Sequence, residues 1–180
     1  ALTGTQSQVG AYDFTTLDVI PGLLFHKHAR IQILDVPGIV SGAASGRGRG
    51  KEVLGVIRAA DLIIIVVDAK KPEQFASILT ELDEAGIRMN KKRPDVRVTR
   101  KPRGGISLAA TVKLTKLDHH TIKGILREYK MSNCDVVIRS DISDDEFIDI
   151  LDGNRVYMPG ITIVNKIDLP EVRQGITSLE

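Results

Sequence analysis

The chain has 180 residues, 42% of them hydrophobic, and a formal net charge of +2. That is enough to bury the core of one domain, or of one domain with an insert, and the charge is too small to imply nucleic acid by itself. The single cysteine, Cys134, excludes a disulfide framework and a thiolate metal cluster and points to a reducing compartment, and the longest apolar run, Leu62 to Val67, is far too short to span a bilayer.

In chain order, Ala1 to Thr5 reads as the tail of a helix stopping at Gly4. The amino end lacks the charged-then-apolar pattern of a signal peptide. Gln6 to Asp18 has no sustained apolar period and reads as a loop, within which Thr15 and Thr16 are turn or cap residues by default. A threonine hydroxyl is also a suitable neutral ligand for a hard cation. Leu23 to His26 predicts a strand, His28 to Ala29 a turn, and Arg30 to Asp35 a return strand, together an antiparallel hairpin. His26 and His28 would be exposed at its tip.

The hairpin runs into Asp35-Val36-Pro37-Gly38. An aspartate at the carboxyl end of an apolar strand can hold Mg²⁺, usually through water. The glycine lets a backbone N–H approach a phosphate oxygen. Taken alone, the four residues are more simply a Pro-Gly turn. Gly42, Gly46, Gly48 and Gly50 then make a glycine-rich loop leading into a helix, Lys51 to Ala60, that presents Val53, Leu54, Val56 and Ile57. Gly50-Lys51 fails as a phosphate-binding loop, because Ser45 holds the earlier glycine position and Glu52 stands where Ser or Thr is required.

Leu62 to Val67, between Asp61 and Asp68, reads as a central parallel strand covered on both faces. Pro72 opens a helix in which Phe75, Ile78, Leu79 and Leu82 keep helical spacing up to Gly86. The alternation of strand and helix predicts an α/β sheet. From Ile87 the character changes: Arg88, Lys91, Lys92, Arg93, Arg97, Arg100, Lys101 and Arg103 crowd a segment broken by Pro94, Pro102 and Gly104-Gly105. Strands are expected at Val96 to Val98, Ile106 to Leu114 and Asp135 to Arg139. Asp118 would cap a helix through Tyr129, and Ser143 to Glu146 fits a capping box opening another. His119 and His120 read as exposed residues at a helix start. The final apolar strand, Ile161 to Val164, ends in Asn165-Lys166-Ile167-Asp168.

That last loop is the second informative stretch. A carboxylate there can accept from both the ring N1–H and the exocyclic amino group of guanine, a donor pair adenine lacks. Asn165 would fix the loop and the Lys166 stem would cover the base. Asn165 follows Asp35 by 130 positions, roughly twice what a minimal strand-and-helix connection needs, so about seventy residues are inserted between the two motifs.

Phe14-Thr15-Thr16-Leu17, Asp35-Val36-Pro37-Gly38 and Asn165-Lys166-Ile167-Asp168 resemble the switch I, switch II and guanine-specificity motifs of Obg-type translation-factor GTPases. More narrowly, the chain resembles the developmentally regulated GTP-binding proteins (the DRG family), in an archaeal-like form. This closer likeness rests on Ala11 to Leu17, Gly46 to Gly50, Gly86 to Asn90, Gly104 to Ser107 and Gly153 to Pro159. The resemblance implies an α/β G domain of the P-loop NTPase type over residues 1–86 and 159–180, with an inserted α+β domain of ribosomal-protein-like fold over 87–158. It implies GTP and Mg²⁺ as cofactors, contacted by Phe14, Thr15, Thr16, Leu17, Asp18, Asp35, Val36, Pro37, Gly38, Asn165, Lys166, Ile167 and Asp168, with Thr16 and Asp35 on the metal. Gly38 would donate its N–H to the γ-phosphate, and loss of that phosphate would release both switch loops. At Ile39 many small GTPases carry a glutamine that orients the attacking water. Isoleucine cannot do so, so no side chain is assigned a catalytic role and slow hydrolysis is expected unless an ion or partner helps.

No Gly-x-x-x-x-Gly-Lys-Ser/Thr occurs in the sequence. By the resemblance it would lie just before Ala1, and the chain is expected to be the middle of a GTPase, lacking that loop, its flanking strand, the last strand and a carboxyl-terminal TGS domain. These 180 residues alone are then expected to bind GTP weakly or not at all. The implied setting is cytoplasmic and translation-related, with a ribosome or ribosomal RNA partner, a regulatory protein partner and no membrane. The competing reading is a nucleotide-independent binding module. In it the basic segment, with Lys91, Lys92 and Arg93 as candidate RNA contacts, would meet ribosomal RNA phosphates. Its plain alternative is a solvated basic face.

Overall fold

The computed structural model describes residues 19–36 and 50–169. They divide into two compact units: the described parts of Ala1–Met89 and Pro159–Glu180, and Asn90–Met158. The chain is α/β, with parallel strand pairing in each unit.

The first unit opens with the hairpin β1 (Ile20–His26) and β2 (Ala29–Asp35), paired antiparallel from Ile20↔Asp35 to His26↔Ala29. The turn is Lys27-His28, one residue earlier than expected, and Lys27 takes a φ of 53° there. Ala29 therefore belongs to the return strand. β1 also begins earlier, running through Pro21 and Gly22, which an edge strand tolerates. His26 and His28 are exposed.

Helix α1 (Gly50–Arg58) buries Val53, Leu54 and Ile57. β3 (Ile63–Asp68) pairs parallel with β9 (Gly160–Asn165), from Ile63↔Gly160 to Asp68↔Asn165. Between them in sequence, α2 (Glu73–Glu84) follows β3 and packs against it and against β4 (Ile87–Met89). Pro72 stands at its N-cap and Gly86, at φ 76°, follows the Ala85 C-cap, where a left-handed conformation ends the helix. No basic residue lies in the last turn of α2. Two arginines from elsewhere supply that charge: Arg58 donates to the Ala85 carbonyl at 2.6 Å and Arg88 to the Asp83 carbonyl at 2.7 Å. Cations at the carboxyl end complement the helix dipole.

The unbroken apolar character of β3 suggested cover on both faces, and among the described residues only one face has it. Ile65 and Val67 are buried, at 4% and 0% exposure, whereas Ile64 and Val66 are 45% and 58% exposed. Ile161 and Ile163 on β9 are exposed too. Among the described residues β3 also has one strand partner, β9. The sequence run reports only that both faces are apolar.

The second unit has a three-stranded sheet in the order β5 (Val96–Arg100), β7 (Cys134–Ile138), β6 (Ile106–Ala110). β7 pairs antiparallel with β5 and parallel with β6. The parallel pair is joined through α3 (His119–Glu128), and α4 (Asp144–Asp152) follows β7 before β8 (Val156–Met158). Ile122, Leu126, Cys134, Val136, Ile138, Ile142 and Phe147 form the core, with Val96, Val98, Ile106 and Leu108 packed against it. The alternate strand residues Arg97, Thr99, Ser107, Ala109 and Asp135 are exposed, so the core lies on one side of the sheet.

Both helices of this unit are capped as expected. The Asp118 carboxylate accepts from the His120 and Thr121 N–H groups, and Ser143 and Glu146 form a reciprocal capping box. Gly153 ends α4 at φ 62°. β6 is shorter than expected, stopping at Ala110 rather than Leu114. Beyond it the chain turns away, and Asp141 takes it up by accepting from the N–H groups of Thr115 and Lys116. β7 starts at Cys134 and ends at Ile138, one residue earlier at each end than predicted.

Candidate functional site

Because β3 and β9 are parallel and in register at Asp68↔Asn165, their carboxyl ends emerge side by side. In open α/β sheets this is the edge at which ligands bind. Asn165-Lys166-Ile167-Asp168 leaves the sheet there. The ladder is prolonged by the Ala69 N–H, which donates to the Asn165 carbonyl at 3.0 Å. The loop is fixed locally in two ways. The Lys166 N–H donates to Asn165 Oδ1 at 2.9 Å, and the Leu169 N–H donates to the Lys166 carbonyl at 3.3 Å. Asn165 thus organises its own loop, while Lys166 sits at φ 62°, a region few non-glycine residues adopt.

Asp168 is exposed. Among the described residues no hydrogen bond or ion pair engages its carboxylate, so both oxygens remain free to accept. That donor-acceptor chemistry fits a guanine edge, which offers two adjacent N–H donors. Ile167 is 57% exposed and carries no hydrogen-bonding group.

Asp68 is the residue that sequence reasoning missed. Its Oδ2 lies 2.7 Å from Lys166 Nζ, and its Oδ1 accepts from the Lys70 N–H at 2.9 Å. The Lys166 ammonium, with the Lys70 N–H, holds its carboxyl below the usual carboxylate range. One signal for it was present: Asp68 ends an apolar strand, as Asn165 does. What was lacking was the pairing of the two strands.

Asp35 and Val36 follow the hairpin, and Asp35 is exposed at the end of β2. Among the described residues the hairpin and the β3–β9 pair are separate sheets, so the described structure does not join Asp35 to the 165–168 loop. Phe14, Thr15, Thr16, Leu17, Asp18, Pro37, Gly38 and Ile39 lie outside the described residues. Asp35 has the hard oxygen donors that Mg²⁺ takes, and its expected companion Thr16 is one of these. Among the described residues no group of three or more His, Cys, Asp or Glu side chains could hold a metal ion. No helix among them is long and apolar enough to cross a membrane.

The basic segment is partly neutralised. Arg88 pairs with Asp83 at 3.0 Å and Lys101 with Asp135 at 2.6 Å. Lys91, Lys92 and Arg93 are exposed between β4 and β5, and Arg97, Arg100 and Arg103 are exposed as well.

Residues 1–101 match the family model described as "50S ribosome-binding GTPase". Residues 103–177 match one described as "C-terminal region of MMR_HSR1 domain". The chain is 51% identical over 170 residues to an uncharacterized GTP-binding protein of Methanocaldococcus jannaschii, an alignment covering 94% of this chain and 44% of that protein. It is 48% identical over 168 residues to developmentally-regulated GTP-binding protein 1 of Xenopus laevis, covering 93% of this chain and 46% of that one. With developmentally-regulated GTP-binding protein 2 of Homo sapiens the identity is 49% over 168 residues, with the same 93% and 46% coverage. The chain therefore spans somewhat less than half the length of these curated relatives.

Proposed function

This chain belongs to the 50S ribosome-binding GTPase family, among relatives of the developmentally regulated GTP-binding proteins, and on that premise we propose that it binds guanine nucleotide at the carboxyl edge of β3 and β9. The observation that carries the proposal is Asp168: an exposed carboxylate with both oxygens free among the described residues, at the end of a loop that Asn165 has already ordered. Asp168 accepts the paired donors of guanine, and the Lys166 stem covers the base.

Phe14, Thr15, Thr16, Leu17 and Asp18 form switch I in this reading, and Asp35, Val36, Pro37 and Gly38 form switch II. Thr16 and Asp35 would hold Mg²⁺, which supplies charge neutralisation at the phosphates when bound. The isoleucine at position 39 has no group to orient water, so hydrolysis of GTP is slow. Residues 1–86 and 159–180 serve as the G domain and 87–158 as an inserted α+β domain. That domain carries Lys91, Lys92 and Arg93, whose exposure supports contact with ribosomal RNA phosphates in a cytoplasmic, translation-related role.

The test is competition for a fluorescent GDP analogue, at the high protein concentration that the weak binding expected of these 180 residues requires. Unlabelled GTP and GDP are expected to displace it and ATP is not. Asp168→Asn is expected to move the preference from guanine to xanthine nucleotides, because an amide can donate to the C2 oxygen that replaces the guanine amino group. Equal displacement by ATP and GTP, or no binding of the analogue even at that concentration, overturns the proposal.

A further inference from the structure

Nothing about Lys166 by itself favours an ordered side chain. It is more than half exposed, its side chain has four rotatable bonds whose freedom opposes pinning, and its backbone is in a left-handed conformation. Yet both ends of it are tethered. Its N–H is held by Asn165 Oδ1 and its ammonium by Asp68 Oδ2. The partner carboxylate is itself fixed, because its other oxygen accepts from the Lys70 N–H in the turn after β3. Register does the rest: Asp68 lies directly opposite Asn165, so the carboxylate is delivered to the loop by the sheet and not by a flexible segment.

We propose that Asp68 is a positioning residue for the 165–168 loop: its carboxylate anchors the Lys166 ammonium across the end of β3, setting the lysine stem in place before a purine base arrives. The role rests on the guanine-binding reading for its effect on affinity. It touches neither base nor phosphate and acts through Lys166. Ordering a flexible side chain in advance removes part of what binding would otherwise have to oppose. Since the anchor is on the base side of the site, its effect is the same for a diphosphate and a triphosphate.

The test uses the full chain with Asp68→Asn, Asp68→Ala, Lys166→Ala and the double variants. Asp68→Asn keeps an oxygen for the Lys70 N–H while losing the charge, so it separates the anchor from the turn. Each Asp68 variant is expected to weaken fluorescent GDP and GTP analogues about threefold to fivefold and equally, as suits a partly exposed pair. In the Lys166→Ala background neither is expected to weaken binding further. Losses that add in that background, or wild-type affinity in Asp68→Asn, overturn the inference.

A second arm needs no nucleotide. In the ligand-free protein the Lys166 side-chain NMR signal is expected to follow titration of Asp68, and that response is expected to vanish in Asp68→Asn, with Lys123, on α3 of the second unit, as the control. A Lys166 signal indifferent to the substitution also overturns the inference. If the wild-type chain binds no guanine nucleotide, the functional reading falls, and this arm decides the anchor by itself.

Discussion

The guanidinium of Arg155 meets the carboxylate of Asp149, Nε to Oδ1 at 2.6 Å, and the Asp149 side chain is only 7% exposed. Arg155 also reaches Asp152 through Nη2 at 3.0 Å. Two carboxylates from the last turns of α4 thus share one arginine just beyond the helix. Removing one partner of a buried pair is more damaging than never having had the pair, because a desolvated charge is left behind. Arg155→Met is therefore expected to destabilise the unit by about 2–3 kcal/mol, less than for a fully buried pair because the arginine is partly exposed. Asp149→Leu combined with Arg155→Leu is expected to recover more than half of that. Urea unfolding of the three proteins checks both statements.

Asp118 and Asp141 predict an acid limit to stability. The Thr121 N–H and hydroxyl hold the Asp118 carboxyl below its ordinary value of 3.8, and the Thr115 hydroxyl and N–H do the same for Asp141. Both folded values are depressed, so the unfolded state takes up protons first as pH falls. Their stabilisation is present above the ordinary carboxylate pKa and is lost as pH falls from about 4 through the depressed folded values. Near neutrality these groups are expected to leave the urea midpoint unchanged with pH, and the midpoint is expected to drop below about pH 4. Asp141→Asn should lower stability at neutral pH and flatten the acid slope, and a midpoint that still falls as steeply as in wild type would contradict this.

Cys134 offers a probe of opening. It is fully buried in the core of the second unit, and burial pushes its thiol pKa up. A thiol reagent is expected to modify the native chain at least about a hundredfold more slowly than the urea-unfolded chain, since reaction requires the core to open. Rapid native labelling would show that β7 is accessible.

Gly160 and Met89 test the packing that starts β9. A β-carbon at Gly160 would stand 2.1 Å from Met89 Sδ and 2.4 Å from its Cγ, too close for any side chain. Gly160→Ala is expected to destabilise by about 1–3 kcal/mol through overpacking. Because the obstacle is a flexible side chain, adding Met89→Ala should restore part of the loss. Thermal denaturation of the single and double variants reads the difference.

Local chemistry was legible residue by residue. The capping box at Ser143 and Glu146 and the Asp118 cap depend on neighbours within a turn of helix. So does the Asn165 side chain bonding the next N–H. The hairpin was legible too, displaced by one residue at its turn, because two-residue turns differ only in backbone angles that sequence signals weakly. Strand ends were less so: β6 stops at Ala110, and the chain beyond it is held at Thr115 by Asp141, a contact between distant positions.

By itself, the sequence determined that an apolar strand ends in Asn165-Lys166-Ile167-Asp168 and where the helices of the second unit start. These follow from hydrogen bonds closed within a few residues and from apolar periodicity. Only the tertiary structure decided that one face of β3 is exposed, that Arg155 covers a buried Asp149, and that Asp68 holds Lys166 from 98 positions away. Each of these depends on which strands and helices become neighbours. A carboxylate is the same in sequence whether it meets water or an ammonium 2.7 Å away, and the pairing of β3 with β9 makes the difference.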